Sequence, residues 1–166
     1  MIRSVLFVAA MLLAAAPALA QEPVGCDKFK WPVDRDRALL ASPAQMPSGS
    51  ALPQPLRTAV TIALAPYADA KLPAPPSRAP KAAASYAGFI NAAAAPKAGT
   101  YRVTLSAPAW VDVVQSGHTL RSTAFSGVGG CAGIAKSVKF ELAAAPFTVE
   151  LSGTTAHALT FVVTAD

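Results

Sequence analysis

The sequence predicts an all-β protein. The expected architecture is a jelly-roll-like antiparallel β-sandwich of about eight strands, preceded by a proline-rich N-terminal arm with one short helix. Three observations lead there. From Thr58 onward, apolar and polar residues alternate with period two in several short runs, the spacing of half-buried strands. Turn residues separate those runs at the intervals usual in sandwiches and barrels. No long helical period lies between them, which argues against βαβ units.

Composition bounds the size and class. The 166 residues, 53% hydrophobic and 14% charged, suit one ordinary domain and little more. The net charge of +5 rests on 14 Lys and Arg residues scattered along the chain. Without a basic run, nucleic acid is not an expected partner. Collagen-like, coiled-coil and disulfide-dense scaffolds are excluded by composition.

Residues 1–20 read as a secretory signal peptide. Arg3 gives the positive start, residues 5–16 the apolar segment, and Ala18, Leu19 and Ala20 the small-residue cleavage site. The apolar run is shorter than the ~20 residues of a membrane span, and Pro17 interrupts it. No later stretch is apolar enough to span, so the mature chain is expected in the periplasm or beyond. It keeps 13 basic and 9 acidic residues once Arg3 leaves with the leader.

The mature chain holds two cysteines, Cys26 and Cys131. An even count in an exported protein predicts a disulfide between them. The bridge would tie the N-terminal arm to a late loop.

The arm is assigned to residues 21–56 and the sandwich to residues 57–166. In the arm, Phe29 and Trp31 flank Lys30 and can share one face of an extended stretch. Pro32 disfavours helix at Trp31. Asp34 is placed to cap a short helix through Leu40, and Pro43 and Pro47 close the region. Phe29, Trp31 and Leu39 are expected to pack the arm onto the domain.

In the sandwich, Val60, Ile62 and Leu64 alternate with Thr61 and Ala63 as a first strand. Residues 66–81, with five prolines, form a loop that cannot donate a regular ladder. Residues 82–84 have helix-like composition, and residues 86–90 read as a strand. Tyr101, Val103 and Leu105 mark the next. Residues 110–115 follow Pro108, then a turn at Ser116 and Gly117, then a strand over 118–125. Residues 126–133 are a glycine-rich loop around Cys131. Val138, Phe140 and Leu142 mark another strand, as do Phe147, Val149 and Leu151. Ser152 and Gly153 start a turn, and Leu159, Phe161 and Val163 close the chain.

Two resemblances attach to these residues. Gly99, Thr100, Tyr101 and Leu105, followed by Trp110 to Val114, make residues 86–164 resemble bacterial pre-peptidase C-terminal-type domains. The resemblance implies a small secreted β-sandwich. Residues 26–32, 68–73, 125–128 and 131–140 make the mature chain similar to a set of short exported alphaproteobacterial proteins. Members of that set are sometimes labelled homogentisate 1,2-dioxygenase.

The dioxygenase label implies non-haem iron held by two histidines and a carboxylate. The chain has only His118 and His157, in no His-x-Glu or His-x-Asp arrangement, with Asp112 and Glu150 as carboxylates by elimination. Iron chemistry is therefore a distant alternative. No Gly-x-Ser-x-Gly elbow is present, and the glycine-rich loop lacks a phosphate-loop Lys. Glu141 and Glu150 read as solvated strand positions. No catalytic residue, metal or cofactor is expected.

Binding is the favoured class. If Val111 and Val113 face the core, Trp110, Asp112 and Val114 face outward. Trp110 would stack on a sugar ring, Asp112 would accept its hydroxyls, and Arg102 and Thr104 would line the same face. A competing and preferred expectation is that Phe29 and Trp31 of the arm cover Trp110. The expected function is that of a non-enzymatic accessory or binding protein of the cell envelope, recognising polysaccharide or peptidoglycan. A structural protein–protein interaction module is the alternative.

Overall fold

A computed structural model describes residues 24–80 and 85–166. The signal peptide read at residues 1–20 and the helix-like run at 82–84 lie outside the described residues.

A 3-10 turn at Cys26–Lys28 leads into helix α1 (Asp34–Leu40) and strand β1 (Ala44–Met46). Strands β2 (Val60–Ala63) and β3 (Ala65–Pro66) precede a second 3-10 turn at Tyr67–Asp69. Then come β4 (Tyr86–Ala92), β5 (Gly99–Leu105), β6 (Trp110–Gln115), β7 (His118–Thr119) and β8 (Ala124–Gly127). The chain ends with β9 (Lys136–Leu142), β10 (Phe147–Thr154) and β11 (Ala158–Ala165).

The strands form two sheets, ordered β1-β2-β11-β5-β9-β8 and β3-β4-β10-β6-β7. The fold is an all-β sandwich with a single short helix, as the alternation predicts. Pairing is antiparallel except between β1 and β2, which run parallel. Val60, Val103, Phe140 and Phe161 from the first sheet meet Ile90, Val113 and Val149 from the second in one buried cluster. Gly88 on β4 allows close packing there. A Cβ at that position would meet Leu64 Cδ2 at 2.8 Å and Ser48 Oγ at 3.0 Å.

Three predicted elements change. The strand expected over residues 118–125 is two strands in different sheets. Leu120 still donates its N–H to Val113 of β6, while Thr123 donates to Lys139 of β9. The chain therefore crosses between sheets within three residues. The turn expected at Ser152 and Gly153 is an irregularity inside β10, where the pairing with β4 shifts register between Leu151 and Thr154. Asp34 does not cap α1. Val33 is the N-cap residue with no side-chain cap, and Asp34 sits in the first turn. The turn at Ser116 and Gly117 is present, with φ of 53° and 77°, the left-handed pair that matches strand twist in a two-residue hairpin.

The arm lies across the outer face of the first sheet. Phe29, Val33 and Leu40 bury against Val128, Ile134 and Val162 in a second cluster, with Trp31 and Leu39 packed at its margin. The predicted disulfide joins Cys26 to Cys131, 105 residues apart. No helix among the described residues is long and apolar enough to cross a membrane.

Candidate functional site

The four outward-facing candidates do not form one site. Trp110 and Asp112 lie on β6 in the second sheet, whereas Arg102 and Thr104 lie on β5 in the first. Alternation places each pair correctly on an outer face, but the two faces are on opposite sides of the sandwich.

Arg102 and Thr104 are buried beneath the arm. Arg102 Nη1 donates to the Pro32 carbonyl at 2.8 Å and lies 3.8 Å from Asp36 Oδ2. Thr104 donates to Asp36 Oδ2 at 2.8 Å, and Thr164 donates to Asp36 Oδ1 at 3.0 Å. Asp36 is fully buried. This network docks the helix. It is not open to a ligand.

The arm does not cover Trp110. Trp31 instead donates from Nε1 to Ser137 Oγ at 3.1 Å, under the Lys139 ammonium, on the first sheet. The outer face of the second sheet is covered by the proline-rich segment 70–80. Within residues 73–77, only Ala74 and Ser77 carry a backbone N–H, because the other three are prolines. Both N–H groups are given to sheet carboxylates. Ala74 donates to Glu150 Oε1 at 2.8 Å, and Ser77 donates to Asp112 Oδ2 at 3.1 Å. The Ser77 hydroxyl also bonds Asp112 Oδ1 and accepts from Trp110 Nε1 at 2.9 Å.

Asp112 and Glu150 are directly opposed across β6 and β10. Glu150 is 2% exposed, and its Oε2 has no hydrogen-bond partner. It is not the solvated strand residue that local pattern suggests. Burial, with a contribution from the Asp112 charge, pushes its carboxyl above the ordinary range, while the Ala74 N–H opposes this. The two carboxylates act as a clasp for the strap, and their oxygens on the strap side are already occupied.

Beside the clasp, an open groove of about 820 Å³ is lined by Trp110, Phe125, Arg78 and Lys136, among others. Phe125 is 60% exposed. The Arg78 guanidinium lies 5.2 Å and the Lys136 ammonium 5.0 Å from the Trp110 ring centre, and Lys30 lies 5.2 Å from that of Phe125. These are cation–π distances. Lys136 also donates to the Ala109 carbonyl at 3.1 Å. Its burial, and next the charge of Arg78, lower its pKa from the usual value, against an opposing pull from Asp112. Phe125, Arg78 and Lys136 are groove residues that sequence reasoning passes over, and Lys30 lies over the Phe125 ring at the groove's margin. Only Lys30 next to two aromatics gave a local signal.

The histidines are apart in the fold. His118 sits on β7 at one edge of the second sheet, and His157 stacks on Tyr86 of β4 with ring centres 4.2 Å apart. Among the described residues, no group of three or more His, Cys, Asp or Glu side chains is placed to hold a metal ion.

Compared with known protein families, curated proteins and solved structures, the chain gives no match.

Proposed function

We propose that this is an exported, non-enzymatic binding protein of the cell envelope, whose polysaccharide or peptidoglycan ligand seats in the groove between Trp110 and Phe125. The leader-like N-terminus and the Cys26–Cys131 bridge support export, since such bridges persist in oxidising compartments. The observation that carries the binding reading is Phe125. It is a large aromatic left 60% exposed beside a groove that Trp110 also lines, while the arm packs on the outer face of the first sheet and the strap bonds Asp112 and Glu150 on that of the second. The sugar platform differs from the one alternation suggests. Asp112 is committed to Ser77, so Phe125 and the groove cations take its place.

The test is co-sedimentation of the oxidised mature chain with purified peptidoglycan and insoluble polysaccharides, beside Phe125→Ala and Trp110→Ala. Binding that both substitutions reduce is expected. No binding by any of the three would favour the second reading, a protein–protein module. One observation supports that reading: Phe125 lies on β8, an edge strand whose free side can pair with a partner. A pull-down from envelope extract would then follow.

A further inference from the structure

The groove has a charge as well as a shape. Lys30, Arg78 and Lys136 come from the arm, the strap and β9, three separate parts of the chain. Arg78 and Lys136 line the groove over the Trp110 ring, and Lys30 lies over the Phe125 ring at its margin. None of the ion pairs among the described residues involves any of them. Lys136 is half-buried, and the other buried or half-buried cations among the described residues are neutralised: Arg102 by Asp36 and Asp166, and Lys139 by Asp166. Arg78 and Lys136 crowd the same indole and repel each other. An incoming anion would relieve that repulsion, where a neutral sugar would not.

We infer that the groove selects an acidic polysaccharide, one whose sugar carboxylates lie between Arg78, Lys136 and Lys30 while its ring faces rest on Phe125. This rests on the glycan-binding reading above and narrows it to one ligand class. The indole of Trp110 lies under Arg78 and Lys136, and the Phe125 ring under Lys30. Asp112 is a positioning residue, since its two bonds to Ser77 fix the strap one residue before Arg78.

The experiment is titration of the oxidised mature chain with polygalacturonate, with dextran as the neutral counterpart and solubilised peptidoglycan as a third probe, over a series of NaCl concentrations. Polygalacturonate is expected to bind tightest. Its affinity should fall at least about tenfold from low to moderate salt, as exposed charges are screened beyond a Debye length of about 10 Å at 0.1 M. Lys30→Gln with Arg78→Gln should weaken it about tenfold or more and flatten the salt dependence. Arg78→Lys should restore much of the loss. Both positions are exposed, so unchanged thermal unfolding verifies the fold. Equal affinity for dextran, or affinity flat in salt, would overturn the acidic-ligand inference and leave glycan binding standing. Preference for peptidoglycan over polygalacturonate would also overturn it. No binding to any of the three would bring down the glycan reading itself.

Discussion

Asp36 of α1 accepts a hydrogen bond of 2.8 Å from Thr104 of β5, sixty-eight residues away, with neither side chain touching water. The bond makes a short helix part of the sheet's outer layer. It also explains why an acidic residue can sit at zero exposure. Thr104, Thr164 and the nearby Arg102 together supply what water would.

Asp36→Ala should therefore be among the most damaging single changes. It leaves Arg102 with Asp166 as its remaining counter-charge and takes a buried hydrogen-bond acceptor from Thr104 and Thr164. Breaking a buried charge pair from one side costs about 3–5 kcal/mol. Urea unfolding measures this. A loss below about 1 kcal/mol would mean that the helix is not held by this network.

Cys26→Ala with Cys131→Ala should cost about 2–5 kcal/mol, with the denatured state gaining the freedom of a loop of about one hundred residues. Comparing denaturant midpoints of the oxidised, reduced and double-variant proteins checks this. The reduced protein and the variant should agree.

Glu150 sets a pH dependence. Its carboxyl is pushed up in the folded chain by burial, so the native state keeps its proton to higher pH than the unfolded state does. The stability this gives is complete below the unfolded value and is lost as pH rises through the folded one. Glu150→Gln should thus be more stable than the parent at neutral pH, with the gap closing toward pH 4. A gap that widens on acidification would contradict the assignment.

Ser77→Ala keeps the backbone bond to Asp112 but removes the hydroxyl shared by Asp112 and Trp110. Losing these partly exposed bonds should cost about 0.5–1.5 kcal/mol. Phe125→Ala, at an exposed position, should stay within about 0.5 kcal/mol of the parent while losing ligand. Thermal unfolding of the two variants side by side separates clasp from groove.

Much of the fold is legible in local pattern because β5, β6, β9, β10 and β11 each bury alternate residues against one core. The short strands are not. Three residues of β1 between prolines carry no period, and its parallel partner β2 begins fourteen residues later. The site was hidden for a related reason. Period two says which side of a strand a residue faces, but not which sheet the strand joins. It therefore gave Arg102 and Trp110 one shared face. It also says nothing of what lies above that face, so Glu150 passed for a solvated residue when a proline-rich strap covers it. The cysteine pairing was legible because two residues allow only one bridge.

The bond between Asp36 and Thr164 spans 128 residues and links the first helix to the last strand. The buried place of Asp36 needs β5 and β11 together, because Thr104 and Thr164 each donate to it and Arg102 stands beside it. The helix thus docks on two paired strands rather than one, and the Cys26–Cys131 bridge ties the same arm to the sandwich a second time. Truncating the final strand would thus take away one of the two hydroxyls that hold Asp36, so a change at one end of the fold is felt in the first helix.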